Sequence, residues 1–480
     1  MKKETVILLL ISVFIVVLPF SKILNLGYYD SKRVYQLVLF CAIGISVGIN
    51  LVTNNFKKVP VQYSGVPATL LILTLLFLFT GFISAFLSDS HKHAYLDLSL
   101  YTTTFFFAYL LVSIFKNQSR EFIELILYLA LLFAVIYSVF MFYNYIRTFF
   151  DELMPLWPNY YATLTNTDGQ VYSISYPDKE VLYFSNIRFF NDIQGWTLPL
   201  LIGLYCYLAK TINRKSLAIF VLIIASIWWM LVFASASRAV FVSVLVGLLF
   251  INIYLKPDKL LFIKYTFISL IAGFLAYLAL FTLHPSQQIS ITIFRSNYGR
   301  LKLWGKGLDG WLQQPIFGIG PYHYSKAGEV GDLAHPHNFL IQILSEWGII
   351  AFILLAVTFI YVLLKFKESL QNHHLNKNYK MFGPIILWSF ISGLGQSFFS
   401  GAMHTPVSLI WFSLIFACVL LFIVNYTIVD MNNVHFWVIY VVFIISCLSL
   451  VYFSYVTIFD ITGIQSRLTF PRFWQQGLFK

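Results

Sequence analysis

Residues 335–338, His-Pro-His-Asn, place a titratable base where an apolar run of membrane length begins. Pro336 restricts the chain ahead of that run and Asn338 is a good helix-capping type, so the His337 imidazole is expected where membrane meets water. A neutral imidazole there could take a proton from an attacking hydroxyl. The bland alternative is that a histidine at a helix end only satisfies backbone or water. His335, two residues earlier, falls in the preceding loop, as does His323.

Three arginines offer complementary chemistry. Arg300 opens a stretch in which Lys302 and Lys306 alternate with Trp304 and Trp311. Arg238 follows the small residues Ser235, Ala236 and Ser237 at the start of an apolar helix, and Arg188 stands in NIRFFNDIQGW near the start of another. Guanidinium groups grip phosphate oxygens in pairs and keep their charge, so Arg238 and Arg300 could converge on an anionic ligand, with Arg188 a third cation. Alone, each could instead be an interfacial anchor whose stem lies along the apolar surface.

The acids suggest less. Glu346 lies inside the apolar run after His337, where an ionisable group is costly, but nine residues of helix put it on the opposite face from His337 and leave it a packing role against a neighbouring helix. Asp309, Asp332 and Glu329 are too scattered for a metal cluster, and no G-x-x-x-x-G-K-[ST] loop is present for a nucleotide. No metal and no other cofactor is expected. Gly305–Gly307 and Gly318–Gly320 fit turns better than phosphate cradles.

The elements that must position these residues are membrane helices. Of 480 residues, 59% are hydrophobic and 11% charged, with a mean hydropathy of +0.78, more apolar surface than a soluble domain could hide. Runs near 5–26, 35–52, 66–88, 94–115, 122–146, 192–209, 216–234, 238–255, 261–283, 338–364, 383–400, 406–428 and 434–457 reach or approach the roughly 20 residues a span needs. The expected fold is an all-α, polytopic integral membrane protein of about 12–13 transmembrane helices, one transmembrane domain over 1–480, with large external loops at 147–191 and 284–336. The first run has the charged start of a secretory signal but no A-x-A-like cleavage site, and is kept as a helix. Cys41, Cys206, Cys418 and Cys447 sit in apolar runs without C-x-x-C spacing and read as packing residues.

The net charge of +12 does not call for nucleic acid. Much of the excess lies in short loops at Lys57 and Lys58, Lys116 and Arg120, Lys210 to Lys215, Lys256 and Lys259, and Lys365 to Lys380, all on one side if helices alternate. That side is the cytoplasm, with Lys2 and Lys3 agreeing, and both large loops and the C-terminal tail then lie outside the cytoplasmic membrane.

Over about 230–365 the sequence resembles the O-antigen ligase and polymerase superfamily of bacterial membrane glycosyltransferases. The resemblance rests on Ser237-Arg238 opening a helix, on Arg300 followed by Trp304 and the P-x-F-G-x-G run Pro315 to Gly320, and on His-Pro-His-Asn. His337, Asn338 and Gly348 fit the family's histidine motif, while Ala351 departs at its last position. The resemblance implies transfer of a glycan from undecaprenyl pyrophosphate, without nucleotide or metal and with inversion, to a hydroxyl of an acceptor at the periplasmic face of the inner membrane. It casts His337 as catalytic base, and Arg238, Arg300 and Arg188 as the pyrophosphate site, with the second loop carrying part of the active site. O-antigen ligase-type transfer to lipid A core is the first expectation. Transfer to a pilin or other protein, or to a second lipid-linked glycan as a polymerase, are alternatives. The rival class is a flippase for lipid-linked sugars, but no matching broken helices or paired charges deep in both halves favour it. Membrane lipids are the other partners; nucleic acid is not.

Overall fold

The computed structural model describes residues 11–17, 21, 28–56, 67–153, 187–255, 259–282, 298–325, 335–371, 377–424, 448 and 451–452. Among these the secondary structure is helical and no strand occurs. The helices are α1 (Tyr28–Phe56), α2 (Ala68–Leu87), α3 (His91–Phe115), α4 (Ser119–Leu153), α5 (Ile187–Tyr207), α6 (Lys215–Ala234), α7 (Arg238–Tyr254), α8 (Lys259–Thr282), α9 (Tyr298–Gln313), α10 (Phe339–Gln371), α11 (Lys377–Ser397) and α12 (Pro406–Val424). Six helical stretches in the described residues are long and apolar enough to cross a membrane. Exposed apolar residues follow helical spacing, as in Val242, Val246, Leu249 and Ile253 of α7 and in Ile353, Val357, Ile360 and Leu364 of α10. Such stripes suit lipid rather than water.

α12 is buried along its whole length, because it is apolar on every face and can be enclosed on all sides. α3 and α5 hold it by side-chain bonds: Trp196 Nε1 donates to Ser408 Oγ (2.8 Å) and Ser413 Oγ to the Thr104 carbonyl (3.2 Å). α11 packs closely on both α5 and α7. Small residues permit that approach: a side chain at Gly393 would run into the Trp196 ring.

At one end of the bundle Arg120 reaches the Tyr207 hydroxyl (3.4 Å), Thr211 reaches Met381 (3.2 Å) and Lys367 lies 4.7 Å from the Tyr254 ring centre. Among the described residues the basic turns after α3, α5 and α10 thus lie at one end. The starts of α5, α7 and α10 are at the other.

Several boundaries differ from expectation. α4 continues through Arg147 to Leu153 and α5 starts at Ile187, so helix replaces both edges of the first loop. The second loop contains α9, a 16-residue helix that its glycines and alternating charges concealed. The expected span 338–364 is not one continuous helix, because Gly348 breaks α10. Most of the expected spans 5–26 and 434–457 lies outside the described residues, as do 154–186, residues 284–297 and 326–334 of the second loop, the C-terminal tail, Lys2, Lys3, Lys57, Lys58, Lys256, Glu329, Asp332 and Cys447. Cys206 and Cys418 are buried and Cys41 is half-buried.

Candidate functional site

The start of α10 is capped as its sequence suggests. Asn338 Oδ1 accepts the backbone N–H groups of Leu340 (3.0 Å) and Ile341 (3.1 Å), which would otherwise be left over at a helix start. His337, just outside the cap, has φ +52°, a left-handed conformation rare for a residue with a side chain. Such a conformation costs about 1–3 kcal/mol and persists only where surroundings enforce it. Here the His337 N–H donates to Nδ1 of His335 (3.2 Å). The ring nitrogen Nε2 of His337 is buried and meets no hydrogen-bond partner among the described residues. Burial, then the charges of Arg188 and Arg300, push its pKa down to about 3.

Those two charges come from α5 and α9, so the fold brings together residues 149 and 37 positions away from His337 in the chain. Arg238 joins them: Arg300 is half-buried, and its pKa is lowered by burial and then by the Arg238 charge. Arg188 and Arg238 are exposed. The four residues picked from the sequence therefore share one electrostatic site at the loop end of the bundle. Gathering like charges is unfavourable unless something negative offsets it, which is the usual signature of an anion site. In the turn before Arg238, Ala236 has φ +48° and Ser235 Oγ donates to Asn191 Oδ1 of α5 (3.0 Å).

The break in α10 holds the second loop in place. Gly348 has φ +80° and ψ −177°, and a side chain there would strike the Ile316 carbonyl. The carbonyls released by the break are taken up by the P-x-F-G-x-G turn. Ile319 N–H donates to Ser345 O (3.0 Å) and Gly320 N–H to Glu346 O (3.0 Å), while Ile349 N–H returns to Pro315 O (2.9 Å). Broken helices in membranes persist only when their backbone groups are satisfied in this way. α9 packs on the same part of α10, its Gly310 lying against Ser345, and so Arg300 is tied to the helix that His337 precedes.

Behind His337 lies a buried polar chain that sequence reasoning missed. Glu346 is fully buried against α2, whose Ser84 Oγ donates to its carbonyl (2.6 Å), and its carboxylate accepts the Tyr324 backbone N–H (3.0 Å) and Gln342 Nε2 (3.1 Å). Gln342 Oε1 faces His404 Nε2 (2.5 Å), and the His404 ring lies 4.8 Å from that of His335. The His404 carbonyl accepts from buried Arg33 (2.5 Å) and from Tyr29 (3.2 Å). Next to it, Thr405 and Gln396 donate to Asp192 of α5, which lies within electrostatic reach of Arg188. His335 and His323 are not loose loop residues: both are buried, and His323 Nε2 accepts the Ser90 N–H (3.2 Å). Buried polar side chains in hydrophobic runs were the available signal, but the partners of His404 at Arg33 and of Asp192 at Gln396 and Thr405 are 371, 204 and 213 residues away. Among the described residues no group of three or more His, Cys, Asp and Glu is placed to hold a metal ion.

Residues 218–356 match the family model of the O-antigen ligases. The matched segment is 139 of 480 residues and contains Arg238, Arg300 and His337, with Arg188 preceding it. The match supports the O-antigen ligase-like superfamily, the one the motifs resemble, and with it a ligase- or polymerase-type membrane glycosyltransferase. No curated protein gives a significant match to the chain.

Proposed function

We propose that this protein transfers a glycan from undecaprenyl pyrophosphate to a hydroxyl acceptor at the periplasmic face of the bacterial inner membrane, as an O-antigen ligase acting on lipid A core. The observation carrying this reading is the convergence of Arg188 and Arg300 on His337, with Arg238 beside Arg300. It couples an anion site to a proton acceptor.

In this mechanism the arginines bind the pyrophosphate and meet the charge that grows on it as the anomeric carbon–oxygen bond breaks. The acceptor oxygen attacks that carbon from the opposite side and gives its proton to His337 Nε2, so the anomeric centre inverts. Undecaprenyl pyrophosphate departs with the bonding pair. A neutral imidazole is required at the outset, and burial beside two cations keeps His337 neutral.

The test is reconstitution. Purified protein with a lipid-linked oligosaccharide is offered core lipid, a pilin, or donor alone. Product on core lipid only supports the ligase reading; product on pilin or chain extension of donor replaces it with the corresponding alternative. No product, with donor crossing vesicle membranes, would replace transferase by flippase.

A further inference from the structure

The left-handed backbone at His337 needs something to hold it, and the groups that do so come partly from within the 218–356 match and partly from Tyr29, Arg33, Gly401 and His404 outside it. His335 Nδ1 accepts the His337 N–H at 3.2 Å, and the two rings meet edge to face with centres 4.3 Å apart. An acceptor nitrogen carries no proton, so this contact fixes the state of Nδ1 in His335. The ring is in turn confined. A side chain at Gly401 would come within 2.9 Å of its Cε1, and His404 lies against it with ring centres 4.8 Å apart.

The orientation of His404 is set by a chain of directed hydrogen bonds. Both Glu346 carboxylate oxygens accept, one from Tyr324 N–H and one from the amide nitrogen of Gln342. Gln342 must therefore turn its oxygen toward His404, and His404 must carry its proton on Nε2 to donate across that 2.5 Å contact. The carbonyl of His404 is held by Arg33 and Tyr29, and its N–H donates to Gly401 O (2.8 Å). Every link from Glu346 to His404 thus has one sense only, and its far end is the ring that backs His335.

We propose that His335 is a positioning residue: its Nδ1, backed by His404 and the Gln342–Glu346 chain, pins the His337 backbone so that Nε2 of His337 stays buried beside the arginines. The inference rests on the proposed transferase reading for its consequence in turnover, but its geometry can be tested without activity. The discriminating variants are His335→Asn and His335→Gln. The Asn oxygen occupies the place of Nδ1, whereas the Gln polar atoms fall where Nε2 lies, so only Asn can take the His337 N–H.

The full-length protein in detergent would be treated with diethyl pyrocarbonate, and modification at residue 337 followed by peptide fragmentation in a mass spectrometer. The expected result is at least threefold faster modification of His337 in His335→Gln and in His404→Leu than in the unaltered protein, with His335→Asn within twofold of it. Melting temperatures check that each variant is folded; if His404→Leu does not fold, the Asn–Gln pair alone decides. Equal modification rates in the Asn and Gln variants overturn the proposal. In the reconstituted assay, His335→Gln should lower kcat about tenfold or more with the KM for donor little changed, and Asn should recover most of that loss. Absence of transfer by the unaltered protein, with the modification pattern as expected, would reject the transferase reading and leave the positioning role in place.

Discussion

Arg238 presses on Arg300: the two cations lie close enough that the first helps to depress the pKa of the second, although they start different helices. An anion placed between them removes that repulsion. Arg300→Ala should weaken binding of undecaprenyl pyrophosphate by tenfold or more, since a charge-assisted hydrogen bond contributes about 1.5–3 kcal/mol. Arg300→Lys should restore it only in part, because an ammonium lacks the planar fork. Titration of the purified variants with undecaprenyl pyrophosphate measures both; undiminished binding in Arg300→Ala removes the residue from the donor site.

His337→Ala should lower turnover by about 10²- to 10⁴-fold, the usual contribution of a general base, with donor binding largely retained. Separate measurement of transfer rate and donor affinity distinguishes this from loss of the arginine site. His323→Ala should be milder, since that ring bonds backbone at Ser90 and Pro321 rather than facing the arginines.

The pH dependence follows from the lowered pKa of His337. In the free protein the ring stays neutral down to about 3, so kcat/KM should not fall through the ordinary histidine range near 6.5. Bound pyrophosphate offsets the charges of Arg188 and Arg300, two causes of the depression, so the acidic limb of kcat should lie at higher pH than that of kcat/KM. Stability carries the opposite trace of the same shift. Between about 6.5 and 3 the unfolded chain binds a proton at this histidine that the folded protein does not, so stability falls as pH drops through that window. Denaturant unfolding of the protein and of His337→Gln at pH 7 and pH 5 should show a smaller acid loss in the variant.

Gly348→Ala should unfold the loop end of the bundle. Its φ of +80° with ψ near 180° belongs to glycine, and the new methyl would lie 2.2 Å from the Ile316 oxygen. A loss of roughly 3 kcal/mol or more is expected, seen as a lower melting temperature in detergent. An unchanged melting temperature would show that the stitched turn contributes nothing to stability.

Position 325 should be labelled from outside the cytoplasm, and positions within 372–376 only after the membrane is permeabilised. Single cysteines in a cysteine-free background decide the orientation. The reverse pattern would put the arginine site on the cytoplasmic side.

Much of this was legible in the sequence because it is local. Asn338 caps the helix it precedes, Gly318 and Gly320 turn where the motif has them, and Arg238 opens its helix. The apolar runs mark helices because a span must satisfy its own backbone. α9 was not legible, since Gly299, Gly305, Gly307 and Gly310 weaken its helical signal, and only the approach of α10 accounts for Gly307, against Ile341, and Gly310, against Ser345. Nor was the seat of His337: His404 and Arg33 are 371 residues apart, and no spacing rule connects them. Glu346 was noticed as costly, but its carboxylate accepts from a loop amide and from a side chain of its own helix, and helix-face geometry with respect to His337 could not reveal these.

The seat of His337 also bears on how the chain can be divided. The segment 218–356 carries Arg238, Arg300 and His337, yet the ring behind His335 arrives from residue 404 and is held from residues 29 and 33. A chimaera that grafts only the matched segment onto a related membrane protein would transplant Arg238, Arg300 and His337 without Arg188 and without the surroundings that hold them. For such an exchange the natural unit is discontinuous: it must take 29–33, 188–192 and 401–405 along with 218–356.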